Sequence, residues 1–170
     1  ASMETDIVIN RLMLTSHAQK VFCDDCLNSL RGWVVETKNL VTGTVVGAVT
    51  MIVVGRLIFD TVMVGFYETN GAAAFGVGRE TVIWSALALG TVALAALVTV
   101  CVGWSGAKNA ADGFKVGGIV GFLAWLGVDL IYYAQFNIGT SLMPLVDSLL
   151  EVVRTGVGGA VIASVLGRSE

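Results

Sequence analysis

Beyond about residue 38 the chain settles into four long apolar stretches, at about residues 40–66, 81–107, 114–136 and 140–166. Each exceeds the roughly 20 residues a helix needs to cross a bilayer core about 30 Å thick. The pattern predicts an all-α integral membrane protein whose residues 39–170 form a four-helix bundle. Pro144 falls in the first turn of the fourth stretch, where a missing N–H costs nothing. Thr140 or Ser141 offers a cap just ahead of it. Residues 1–38 have a different pattern. Ser16-His17-Ala18-Gln19 has the form of a capping box, and apolar residues follow at helical spacing: Phe22, Cys26, Leu30, Trp33 and Val34. This predicts an amphipathic helix of about 20 residues. Two placements stay open: on the membrane surface with Trp33 at the headgroups, or as a plain cytoplasmic helix packed on the bundle.

Composition agrees with the pattern. Hydrophobic residues make up 55% of the 170 and charged residues 14%, with a mean hydropathy of +0.81. A soluble domain carries about 45–50% and about 25%. Disorder is excluded by the same figures. A net charge of -3 leaves no basic stripe for nucleic acid. The N-terminus lacks the short basic region and apolar core of a signal peptide. Arg11, Lys20, Arg31, Lys38, Lys108, Lys115 and Arg168 fall on one side of a four-span topology, and only Arg79 on the other. The positive-inside rule then places both termini in the cytoplasm, with the loop Glu68–Glu80 outside.

Six ionisable residues interrupt the apolar stretches: Arg56, Asp60, Asp129, Asp147, Glu151 and Arg154. Each costs roughly 2.5–3.5 kcal/mol in a bilayer even on a lenient scale, so such groups face the bundle interior and mark function by default. Counting about 1.5 Å per residue from each midpoint puts Arg154 near the centre. The same count puts Arg56, Asp129 and Glu151 about 4–6 Å toward the outside, and Asp60 and Asp147 about 10–12 Å. Three helices thus bring charge to one half of the membrane. Asp147, Glu151 and Arg154 share a helix face at i, i+4 and i+7, and Arg56 and Asp60 stand at i and i+4. Tyr133 and Gly158 fall near the same seam. Two arginines face four carboxyls. The imbalance calls for water, for protonated carboxyls or for a bound cation. The competing reading is structural, with Arg56–Asp60 and Glu151–Arg154 pairing inside their own helices to fix which helices meet.

Small residues supply packing faces. Gly43 with Gly47, Gly117 with Gly121, and Gly156 with Ala160 are each four apart, a spacing that lets helix backbones approach closely. Gly43–Gly47 and Gly117–Gly121 also align at an offset of 74 residues, which leaves a duplicated hairpin open. Cys23-Asp24-Asp25-Cys26 has C-x-x-C spacing but lacks a second ligand pair for zinc, with only His17 nearby. No apolar stretch contains His, which disfavours His-ligated haem. Trp125 reads as a packing residue at mid-depth, and the other aromatics as interface belts. The expectation is no cofactor, no metal and no catalytic residue.

From about Asn39 to Gly167 the chain resembles small bacterial four-helix integral membrane proteins of unknown function. Ala111-Asp112-Gly113-Phe114-Lys115-Val116-Gly117 carries the resemblance, together with Asp147 and the Gly156–Gly167 tail. It implies a multi-pass protein of the bacterial inner membrane, with no activity and no transferable site. Two functions are expected from the residues. One is a non-enzymatic transporter or channel-like protein for a proton, cation or small solute, moving it past the charged cluster in a homo-oligomer. The other is a non-catalytic accessory subunit of a larger membrane complex.

Overall fold

A computed structural model of the protein describes residues 36–168, apart from residues 73 and 78. The amphipathic segment expected over residues 1–38, including Cys23 and Cys26, lies outside the described residues up to residue 35. The described residues are α-helical, with no strand among them. Helix α1 (Thr37–Leu57) runs through a π-helical turn (Ile58–Val62) and Met63 into the short α2 (Val64–Asn70). Helices α3 (Trp84–Ser105), α4 (Ala110–Gln135) and α5 (Met143–Leu166) follow. Four segments, Thr37–Val62, Trp84–Ser105, Ala110–Gln135 and Met143–Leu166, are long and apolar enough to cross a membrane.

The helix ends explain where these bounds depart from the hydropathy pattern. Asn109 caps α4: its side-chain oxygen accepts from the Asp112 N–H at 3.0 Å, and its amide donates to the Asp112 carboxylate at 2.8 Å. Lys115 completes the first turn with a 3.0 Å ion pair to Asp112. A polar first turn is thereby helical, and α4 begins at residue 110 rather than 114. The left-handed Gly106, at φ 68°, ends α3. Pro144 sits in the first turn of α5 as expected. Neither Thr140 nor Ser141 caps that helix. Thr140 is engaged elsewhere, its N–H donating to the Asn70 carbonyl at 3.0 Å and its hydroxyl to the Asn70 side chain at 3.1 Å. This link joins the end of α2 to the turn before α5, and it marks one end of the molecule, here the Asn70–Thr140 end.

Helix α5 is the hub. Against α4 it packs antiparallel and backbone to backbone: Gly113 lies on Gly159 and Ala163, and Gly117 on Thr155 and Gly159, with no room for a Cβ at either position. Gly121 meets the Thr155 side chain. Against α1 it packs through Ile162, which faces Gly43 and Gly47, and through Gly158, which receives Met51. Helix α3 closes the same core with Leu94, Ala95, Val98 and Val102. Gly156 lies under Phe114, while Ala160 is only partly buried. Hydroxyls inside the helices return to the carbonyl four residues back: Thr99 to Ala95 at 2.7 Å, Thr91 to Leu87 at 2.9 Å, and Ser164 to Ala160 at 2.8 Å. They satisfy themselves without a neighbour.

Candidate functional site

The charged residues lie between the middle of the helices and the Asn70–Thr140 end, in three groups. The earlier start of α4 shifts one of them. Counted from helix midpoints at about 1.5 Å per residue, Asp129 and Asp147 now stand level, about 10–11 Å from the centre, with Glu151 about 5 Å and Arg154 at the centre.

The first group joins α2, α4 and α5. The Tyr67 hydroxyl donates to one oxygen of Asp147. Asp129 faces Asp147 from α4 closely enough for the two carboxyls to interact. Its Oδ2 is buried and, among the described residues, has no hydrogen-bond partner. A cavity of about 120 Å³ adjoins it, lined by Asp129, Tyr133, Gly139, Met143 and Ala72. Burial, the hydrogen bond to Asp147, and the nearby carboxyls of Asp147, Glu151 and Asp129 hold the Tyr67 phenol well above its ordinary pKa. Tyr67 therefore keeps its proton at any physiological pH and serves Asp147 as a hydrogen-bond donor.

The second group is the Glu151–Arg154 pair. Arg154 Nε donates to Glu151 Oε2 at 3.1 Å, with the side chains only 11% and 1% exposed. The guanidinium carbon lies 5.4 Å from the ring of Trp125 and 5.7 Å from that of Phe59. Phe59 stands in the π-helical turn and also meets Tyr67 edge-on, with centroids 5.7 Å apart. One aromatic ring thus touches a member of each group. Gly55 makes room for the arginine, since a Cβ there would stand 3.1 Å from Arg154 Cδ.

The third group is Arg56 with Asp60, an i, i+4 ion pair at the surface with side chains 55% and 50% exposed. Arg56 lies over the ring of Trp84, the first residue of α3, at 4.7 Å. A cleft of about 240 Å³ between α1 and α3 connects this pair to Arg154, with Gly55, Phe59, Leu87 and Thr91 in its walls.

Of the six expected residues, Asp129, Asp147, Glu151 and Arg154 converge from α4 and α5, while Arg56 and Asp60 stand apart across the cleft. Gly158 meets Met51 instead of a charge, whereas Tyr133 does line the Asp129 cavity. The sequence pattern did not single out Tyr67, Phe59 or Gly55. Tyr67 reads as an interface aromatic, and no periodicity announces the π-helical turn that orients Phe59. Among the described residues no three Asp, Glu, His or Cys groups are placed to hold a metal ion. No known protein family, curated protein or solved structure matches the chain.

Proposed function

We propose that the protein is a multi-pass four-helix bundle of the bacterial inner membrane that carries protons through the Asp129–Asp147 pair, with Tyr67 as a fixed hydrogen-bond donor to Asp147. In this reading both termini face the cytoplasm, the Asn70–Thr140 end faces outward, and the working unit is a homo-oligomer. One observation carries the proposal: the buried, unpartnered oxygen of Asp129 faces Asp147 beside a cavity at one end of the helices. Buried polar atoms are almost always paired, so an exception asks for an explanation. A proton held between the two carboxyls supplies one, and water in the cavity supplies its route. With three carboxyls around one buried arginine, the same proton also brings the local charge closer to balance. A proton suits two carboxyls facing one another, and among the described residues no three Asp, Glu, His or Cys groups are placed to hold a metal ion.

The test is proton flux into liposomes holding the purified protein, driven by a pH gradient. Asp129→Asn should lower the flux by roughly tenfold or more, since it removes the site that takes up and releases the proton. Glu151→Gln should lower it less, because Glu151 serves Arg154 first. Background-level flux in the unaltered protein would overturn the reading.

A second reading has its own support. The Glu151–Arg154 pair closes within one helix and is almost dry, as a pair does that serves helix packing. An accessory subunit of a larger membrane complex would need no more than this. A flux-silent protein that co-purifies with a stoichiometric membrane partner would favour it.

A further inference from the structure

Arg154 is held in an unusual way. Its residue is 9% exposed, and its Nε is committed to Glu151. Two rings from different segments, Phe59 and Trp125, flank the guanidinium. Among the described residues its other two nitrogens, Nη1 and Nη2, meet no hydrogen-bond acceptor. Nη1 lies against Gly55, 3.4 Å from where a Cβ would stand, and both residues line the cleft between α1 and α3. Arg154 lines the cleft, so its two terminal nitrogens are within reach of an acceptor entering there.

We propose that the α1–α3 cleft is a binding site for an amphiphile with an oxyanion head, a carboxylate or a phosphate. The flat edge formed by Nη1 and Nη2 matches the two oxygens of such a head and donates to both in parallel. Rings and Glu151 fix the plane of the fork beforehand, so little entropy is lost on binding. Arg56 stands at the cleft mouth beside Trp84, its charge shared there with its ion-pair partner Asp60. The walls beyond the head are apolar: Met51, Ile52 and Leu87 belong to the cleft, and Ile52 and Leu87 continue onto the exposed surface, where an alkyl tail would lie. The volume of about 240 Å³ takes the head and the first few carbons, and the rest of the tail stays in the lipid. Gly55 leaves room for this arrangement, because a Cβ there would stand 3.1 Å from the arginine Cδ. The proposal is independent of proton carriage and does not use Asp129 or Asp147.

The experiment is native mass spectrometry of the protein released from neutral detergent, titrated with dodecanoate, dodecyl phosphate and, as a neutral control, dodecanol. Both anions should give a saturable one-to-one adduct, and dodecanol none. Arg154→Lys keeps the charge but removes the fork, and should weaken the adduct at least tenfold. Leu87→Trp fills the cleft from an exposed position, leaves the arginine and its partners untouched, and should abolish the adduct. It guards against a variant that merely misfolds. A preference for one anion identifies the head: dodecanoate points to a fatty acid and dodecyl phosphate to a phospholipid-type head. Equal adducts with dodecanol, or binding that survives both substitutions, would overturn the proposal.

Discussion

Tyr67 donates a hydrogen bond to Asp147, and that single bond ties the short helix α2 to the charged face of α5. Its phenol is held protonated by burial and by three carboxyls, so the sign of its pH effect is fixed. An unfolded chain releases this proton near pH 10, whereas the folded protein keeps it to higher pH. The stability Tyr67 contributes is therefore complete below about pH 10 and declines as the pH rises beyond it. Absorbance at 295 nm should show the same asymmetry: Tyr67→Phe leaves the phenolate signal that develops between about pH 9 and 12 unchanged, because Tyr67 contributes little to it. A reduced signal would mean that the residue is not buried against Asp147. At this scale the sequence was partly legible. Asp147, Glu151 and Arg154 could be read onto one face because i, i+4, i+7 geometry is local. That Asp129 faces Asp147 depended on where α4 begins, which an Asn109–Asp112 cap decides and hydropathy does not. Tyr67 and Phe59 were out of reach, since their positions follow from a chain path and not from a period.

Between helices, the glycines sort into two kinds that the sequence alone does not distinguish. Gly117 lies against the backbone of α5 at Thr155 and Gly159, whereas a Cβ on Gly127 would meet open space among the described residues. Gly117→Val should push α4 and α5 apart and cost about 1–3 kcal/mol or more. Gly127→Ala should be neutral or stabilising by about 0.5–1 kcal/mol, from helix propensity alone. Unfolding in graded dodecyl sulfate, followed by circular dichroism, separates the two. Equal midpoints would contradict the close α4–α5 contact. The small-residue spacing did mark Gly43, Gly47, Gly117 and Gly121 as packing positions, and all four lie at helix contacts. The partners were not legible, because a glycine carries no signature of what it faces. The break after Val62 was likewise hidden: the apolar run continues to residue 66, but the helix leaves its α register at Ile58.

For the molecule as a whole, hydropathy and charge gave the broad class with little ambiguity, since four helices are long and apolar enough to span a bilayer. Val41, Val45, Val49 and Val53 recur every fourth residue on the outer face of α1, each more than half exposed, a stripe suited to lipid. The orientation expected from loop charge can be tested directly. In a variant with Cys23, Cys26 and Cys101 replaced by serine, Thr69→Cys should react with a membrane-impermeant maleimide in intact cells, and Ala111→Cys only after lysis. The reverse pattern would invert the topology.

The glycine seam between α4 and α5 has a mechanical consequence. Where backbones touch directly, no side chain is left to change rotamer and take up a sliding motion. The spacing of the two helices is therefore set by their backbones, from Gly113 to Gly121 on α4 and from Thr155 to Ala163 on α5. The π-helical turn is where the chain leaves the α-helical register of α1 on its way to the Asn70–Thr140 end. Phe59 in that turn and Tyr67 in its continuation are what carry the break in register across to Arg154 and Asp147 on α5.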